Sequence, residues 1–95
     1  MPRGSERILV VEDDPEVRAG VMQQLRSLGY VPSDAASGAA GVAALETASQ
    51  PYDLLLTEVM MPGTLNGKAS AAEVARRWPE TKVVFMSGFT ESAFA

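Results

Sequence analysis

The sequence predicts an α/β fold in which helices cover both faces of a parallel sheet, and three observations lead to this prediction. Short apolar runs alternate with segments of helical periodicity, in the order β-α-β-α-β-α-β. The connections between these segments are short, which favours right-handed crossovers between parallel strands. The chain has 95 residues, 46% of them hydrophobic and 21% charged, which is the size and balance of a single globular domain.

The four predicted strands differ in how deeply they should be buried. Residues 8–11, 54–57 and 83–86 are continuous apolar runs, as expected for strands that are covered on both faces. The second strand, residues 30–36, contains Pro32, which cannot donate a hydrogen bond to a neighbouring strand. We therefore expect this second strand at an edge of the sheet.

Each predicted helix begins and ends at a sequence signal. The first begins after the N-cap residue Asp14 and stops at Gly29, the second begins after Ser37 and runs to about residue 48, and the third covers residues 68–78. Residues 91–95 resemble the beginning of a fourth helix. The apolar positions expected to face the core are Val17, Val21, Leu25 and Leu28 in the first helix, Val42 and Leu45 in the second, and Ala71, Val74, Ala75 and Trp78 in the third.

Composition excludes several classes of function. The chain has no cysteine and no histidine, so disulfides, common zinc sites and histidine-based catalysis are ruled out. The net charge is −4 without a basic stripe, so we expect no direct nucleic-acid partner. No apolar run is long enough to span a membrane, and residues 1–6 form a polar tail without a signal-peptide core, so a cytoplasmic location is expected.

Acidic and hydroxyl side chains follow three of the apolar strands. Glu12 and Asp13 come after the first strand, Glu58 after the third and Ser87 after the fourth. Because parallel strands end at one edge of a sheet, these side chains should converge, and their carboxylates should repel one another. A hard divalent cation would relieve that repulsion, with Mg²⁺ favoured and Mn²⁺ or Ca²⁺ as substitutes. The simpler alternative is that these residues are solvated loop residues, helix caps and a turn.

Three segments carry a resemblance to a known family. The sequences VVEDDP (residues 10–15), LTEVMMPG (56–63) and FMSGFT (85–90) resemble those of response-regulator receiver domains in two-component signalling. The second and third segments are most similar to those of receivers attached to hybrid sensor histidine kinases. The resemblance implies a flavodoxin-like, doubly wound sheet with strand order 2-1-3-4-5 and a receiver domain over residues 7–95.

The resemblance also implies roles for single residues. Glu12 and Asp13 match the acidic pair that binds Mg²⁺, together with Glu58 and the backbone carbonyl of Met60. Glu58 occupies the position that accepts a phosphoryl group from a histidine kinase or a phosphotransfer domain. Ser87 matches the hydroxyl that contacts that phosphoryl group. The implied protein is a signalling domain rather than an enzyme, and at most it assists its own phosphorylation and dephosphorylation.

Two departures from the family pattern affect the functional prediction. The acceptor is an aspartate in the family, whereas Glu58 is one methylene longer and reaches about 1.5 Å further. Glu58 is therefore expected to be a weak or inactive acceptor, or to mimic the phosphorylated state. The family's fifth strand and its lysine have no counterpart up to residue 95, so we expect an incomplete receiver domain whose fourth strand has an exposed apolar edge.

Two alternatives remain from the sequence. The first is an interaction module on the same fold that works without phosphorylation, including a homodimer formed through the exposed fourth strand. The second is a Mg²⁺-dependent phosphohydrolase with an aspartate nucleophile. That class needs a second aspartate two residues after the first, and this chain has Glu58 and Met60 at those positions.

Overall fold

A computed structural model describes residues 6–58 and 67–86, with side chains for all of these except residues 67–70. The predicted fourth helix at residues 91–95 lies outside the described residues. In chain order the elements are β1 (Arg7–Val11), α1 (Pro15–Ser27), β2 (Val31–Ala35), α2 (Gly38–Thr47), β3 (Leu54–Thr57), α3 (Gly67–Arg77) and β4 (Lys82–Phe85).

The four strands form one parallel sheet in the order β2-β1-β3-β4. This order confirms the predicted α/β class and the strand order 2-1-3-4. The second strand lies at an edge, as Pro32 predicts, because its missing N–H needs no partner there. At the carboxyl end of the sheet, Val11 is in register with Ala35 on one side and with Thr57 on the other.

Each face of the sheet carries its own hydrophobic cluster, because successive residues of a strand point to opposite faces. Ile8 and Val10 of β1 pack with Val21 and Met22 of α1 on one face. The alternate residues Leu9 and Val11 pack on the other face with α2 and α3, through Val42, Leu45 and Val74. The helices therefore cover both sides of the sheet, as predicted.

The helices begin where the sequence indicates. The Asp14 side chain accepts hydrogen bonds from the amides of Glu16 and Val17, which is the N-cap arrangement. Ser37 caps α2 in the same way, by accepting from the amide of Ala40. Gly29 follows the end of α1 with a φ of 97°, a conformation that favours glycine.

Two predicted core positions are wrong. The side chain of Leu28 is 45% exposed, because this residue is the C-cap and no longer follows the helical period. Met22 contributes to the core from α1 instead. Ala75 is exposed, whereas Ala71 and Val74 on the same helix are buried. The periodic pattern fails at Leu28 because α1 has already ended, and at Ala75 because this side of α3 faces away from the sheet.

The outer strand β4 exposes part of its apolar surface. Val84 is 42% exposed and Phe85 is 41% exposed, whereas Met86 directly after the strand is buried. Among the strands within residues 6–58 and 67–86, β4 is the outer one next to β3. None of the helices within residues 6–58 and 67–86 is long and apolar enough to cross a membrane.

Candidate functional site

The carboxyl ends of the strands bring two of the predicted acidic residues next to each other. Glu12 directly follows β1, and its amide donates to the carbonyl of Ala35 on β2 at 3.1 Å. Glu58 directly follows β3, and its amide donates to the carbonyl of Val11 at 3.1 Å. The hydrogen bonding of the sheet thus continues one residue beyond the strands, and it places Glu12 and Glu58 at the same edge.

The carboxyl group of Glu12 is buried at this edge. The residue is 3% exposed, and its Oε2 accepts a hydrogen bond from the amide of Asp14 at 2.9 Å. Its Oε1 is also buried and has no hydrogen-bond partner within the described part of the chain. A buried carboxylate oxygen without a partner is costly, so this atom is suited to a ligand that replaces its lost hydration.

Electrostatics link Glu12 to the other two acids. Burial raises the pKa of the Glu12 carboxyl from its usual 4.5 to about 7. The hydrogen bond from the Asp14 amide lowers this pKa, whereas the neighbouring carboxyl of Asp13 and the negative charge of Glu58 raise it. Asp13 and Glu58 are therefore close enough to disfavour the charged form of Glu12, in line with the repulsion predicted from the sequence.

The remaining predicted site residues are less fully described. Asp13 is exposed on the loop between β1 and α1. Met60 and Ser87 lie outside the described residues, although Ser87 follows Met86, whose amide donates to the carbonyl of Thr57 at 2.8 Å. Within residues 6–58 and 67–86, no three acidic, histidine or cysteine side chains are gathered into a cluster that could hold a metal ion.

Two residues near the site, Arg18 and Asp34, are not among those predicted from the sequence. Arg18 of α1 donates from one guanidinium nitrogen to the carbonyl of Glu12 at 2.7 Å and from another to the carboxylate of Asp34 at 3.2 Å. Arg18 lies four residues after the helix cap Asp14, a spacing that indicates one helical face. The sequence gives no signal for Asp34, because its approach depends on how β2 aligns with β1.

The comparisons with known proteins agree with this arrangement. A sequence model of the family described as "Response regulator receiver domain" matches residues 8–95. Two curated relatives come from Brucella abortus (strain 2308). The sensor kinase CckA is 36% identical over 92 residues, which cover 97% of this chain. The response regulator receiver protein CpdR is 32% identical over 88 residues, which cover 93% of this chain and 71% of the relative.

The chain spans only 10% of the length of the sensor kinase that it matches.

Solved structures show the same fold. The response regulator protein TrrA from Thermotoga maritima, solved in complex with Mg²⁺-BeF, has a TM-score of 0.77 at 28% identity, covering 92% of this chain and 75% of that one.

A second structure contains the same regulator in complex with the histidine kinase ThkA. It has a TM-score of 0.74 at 30% identity and covers 84% of this chain and 66% of that one. The family match extends over nearly all of the sequence, and the sheet order agrees with it. The chain therefore belongs to the response regulator receiver domain family of two-component signalling.

Proposed function

We propose that this chain is a cytoplasmic receiver that is impaired in accepting a phosphoryl group, because Glu58 occupies the acceptor position. The observation that carries this proposal is the place of Glu58, which directly follows the central strand β3 beside the buried carboxyl of Glu12. A histidine kinase or a phosphotransfer domain would be the phosphoryl donor. A regulator of similar fold has been solved in complex with a histidine kinase.

The residues at the strand ends fit a magnesium ion. They offer carboxylate oxygens, and Glu12 has a buried oxygen without a partner among the described residues. Mg²⁺ usually keeps several of its own waters, so the protein has to supply only part of its ligands. Glu12, Asp13, Glu58 and the carbonyl of Met60 would hold the ion. Mg²⁺ would neutralise the charge of a transferring phosphoryl group.

The length of Glu58 is the reason for the impairment. Phosphoryl transfer depends mainly on in-line placement of the two reacting oxygens, and a displacement of about 1 Å can cost 10²-fold in rate. The additional methylene moves the nucleophilic carboxylate outward while leaving a negative charge near the site. Such a charge resembles that of a phosphoryl group, although it is smaller.

Labelling with acetyl phosphate tests this function. The chain and its Glu58→Asp variant would be incubated with acetyl phosphate and Mg²⁺, and the added phosphoryl group would be measured by intact mass. Glu58→Asp should be labelled much faster than the unchanged chain. Glu58→Gln, which lacks a nucleophile, gives the background. Equal labelling rates for glutamate and aspartate would show that Glu58 does not impair transfer.

A second candidate is an interaction module that works without phosphorylation, and the exposed strand β4 favours it. Val84 and Phe85 are each more than 40% exposed there, and an apolar edge strand can pair with a second copy of the chain. If neither the unchanged chain nor Glu58→Asp is labelled by acetyl phosphate, that result favours this candidate.

Sedimentation over a concentration series tests for pairing through β4. The unchanged chain should self-associate, and Val84→Lys should shift it toward monomer. Val31→Lys is the matched control, because Val31 is 76% exposed on β2 at the opposite edge. A chain that stays monomeric at high micromolar concentration, or equal effects of the two lysines, would exclude pairing through β4.

A further inference from the structure

Arg18 contacts both ends of the acidic loop that connects β1 with α1. Its guanidinium donates to the carbonyl of Glu12 at 2.7 Å, and its backbone amide donates to the carbonyl of Asp14 at 2.9 Å. Asp13, the exposed acid, lies between these two anchored carbonyls. The side chain of Arg18 thus holds the Glu12 end of the loop, and the first turn of α1, through a backbone bond, holds the Asp14 end. Together they bracket the loop that carries the predicted cation ligands.

The guanidinium is itself held in place. Its second nitrogen donates to the carboxylate of Asp34 at 3.2 Å, and the side chain of Arg18 is only 20% exposed. The planar fork of arginine can satisfy two acceptors in fixed directions, which a lysine ammonium on a flexible stem does not do. The edge strand β2, through Asp34, therefore supports the loop by way of Arg18.

This arrangement has little value as a simple surface ion pair. The carboxylate of Asp34 is 48% exposed, and exposed pairs typically contribute about 0–1 kcal/mol. The contact with the Glu12 carbonyl is the shorter of the two, and its donor is also the charged guanidinium. This contact orients the loop, and it is not one of the hydrogen bonds that pair the strands of the sheet.

We propose that Arg18 is a positioning residue, which fixes the loop between β1 and α1 so that the carboxylates of Glu12 and Asp13 face a bound divalent cation. This inference rests on the Mg²⁺ site of the proposed function. Groups that orient metal ligands from behind typically change metal affinity by about 10- to 100-fold. Loss of the Arg18 side chain should weaken Mg²⁺ binding within that range.

The direction of the effect separates positioning from charge. Removing a positive charge near the site would by itself strengthen the binding of a cation, whereas losing the bracket would weaken it. A purely structural role would lower the stability of the metal-free protein and leave Mg²⁺ affinity unchanged. Positioning therefore predicts a higher Mg²⁺ dissociation constant after loss of the side chain, and loss of charge alone predicts a lower one. A purely structural role predicts no change.

The experiment measures the Mg²⁺ dissociation constant by isothermal titration calorimetry on the whole chain. Arg18→Ala should raise it about 10-fold or more, and Arg18→Lys, which keeps the charge but loses the fork, should raise it less. Arg26→Ala is the matched control, because Arg26 is an exposed arginine in the last turn of the same helix. If Arg18→Ala does not fold, the Mg²⁺ dissociation constant of Arg18→Lys tests the proposal instead.

Unchanged or tighter Mg²⁺ binding in both Arg18 variants overturns the proposal. If the unchanged chain does not bind Mg²⁺, the metal part of the proposed function fails separately. Hydrogen exchange at the amides of Asp13 and Asp14 in the metal-free protein then decides the role of Arg18. Faster exchange in Arg18→Ala than in Arg26→Ala supports the bracket, and equal exchange overturns it.

Discussion

At the scale of single residues, Glu12 has an ionisable carboxyl that is buried. Its carboxyl is 3% exposed, one of its oxygens lacks a partner among the described residues, and burial raises its pKa to about 7. The folded protein therefore holds a proton on Glu12 at pH values where the unfolded chain has released it. The stability of the metal-free protein must reflect this difference.

The pH dependence follows from the sign of this shift. Below about pH 4.5 both states are protonated, so Glu12 contributes no difference. Between about pH 4.5 and 7 the unfolded state binds fewer protons, so stability falls as the pH rises, by about 3 kcal/mol at most, since one pKa unit is worth about 1.4 kcal/mol. Glu12→Gln should remove this loss and gain stability relative to the unchanged chain from pH 5 to pH 8.

Urea unfolding at several pH values with EDTA measures this effect. Glu16→Gln is the control, because Glu16 is an exposed carboxyl in the first turn of α1. Parallel pH profiles for the unchanged chain and Glu12→Gln would show that the Glu12 pKa is not raised in the folded state.

At the scale of elements, two glycines in helices have opposite surroundings. A Cβ added at Gly20 in α1 would meet no atom within 4 Å. A Cβ added at Gly41 in α2 would lie 2.8 Å from Cγ2 of Val11, which is 2% exposed in the core. Valine is branched at Cβ and stiff, so it cannot turn aside easily. Gly41 therefore allows the close approach of α2 to β1.

Alanine at these two positions should change stability in opposite directions. Gly20→Ala should raise the free energy of unfolding by about 0.5–1 kcal/mol, because alanine is the better helix former. Gly41→Ala should lower it by about 1–3 kcal/mol, because overpacking outweighs the helix gain. Thermal or urea unfolding of the two variants tests this pair, and equal stabilisation by both would contradict the close contact between α2 and β1.

At the scale of the whole molecule, the sheet was predictable because its signals are local. Apolar runs located three of the four strands, and Pro32 in the second strand indicated that it lies at an edge. The predictions for Leu28 and Ala75 are wrong because periodicity alone shows neither where α1 ends nor which side of α3 faces the sheet.

The candidate site was predictable only in part. Parallel strands bring Glu12 and Glu58 to one edge whatever their separation along the chain. The burial of the Glu12 carboxyl and the fork of Arg18 depend on how β2 and α1 pack around the loop. The approach of Asp34 requires the register of β2 against β1, which places Asp34 opposite Val10. No pattern in the sequence encodes that pairing.

Melting curves with and without millimolar Mg²⁺ test most directly the central claim that the acids at the strand ends act on one cation. A ligand that binds only the folded state raises the melting temperature. Mg²⁺ should therefore raise it for the unchanged chain and for Glu80→Ala, which removes an exposed acid before the amino end of β4, but not for Asp13→Ala. Identical curves for the unchanged chain with and without Mg²⁺ would contradict the claim.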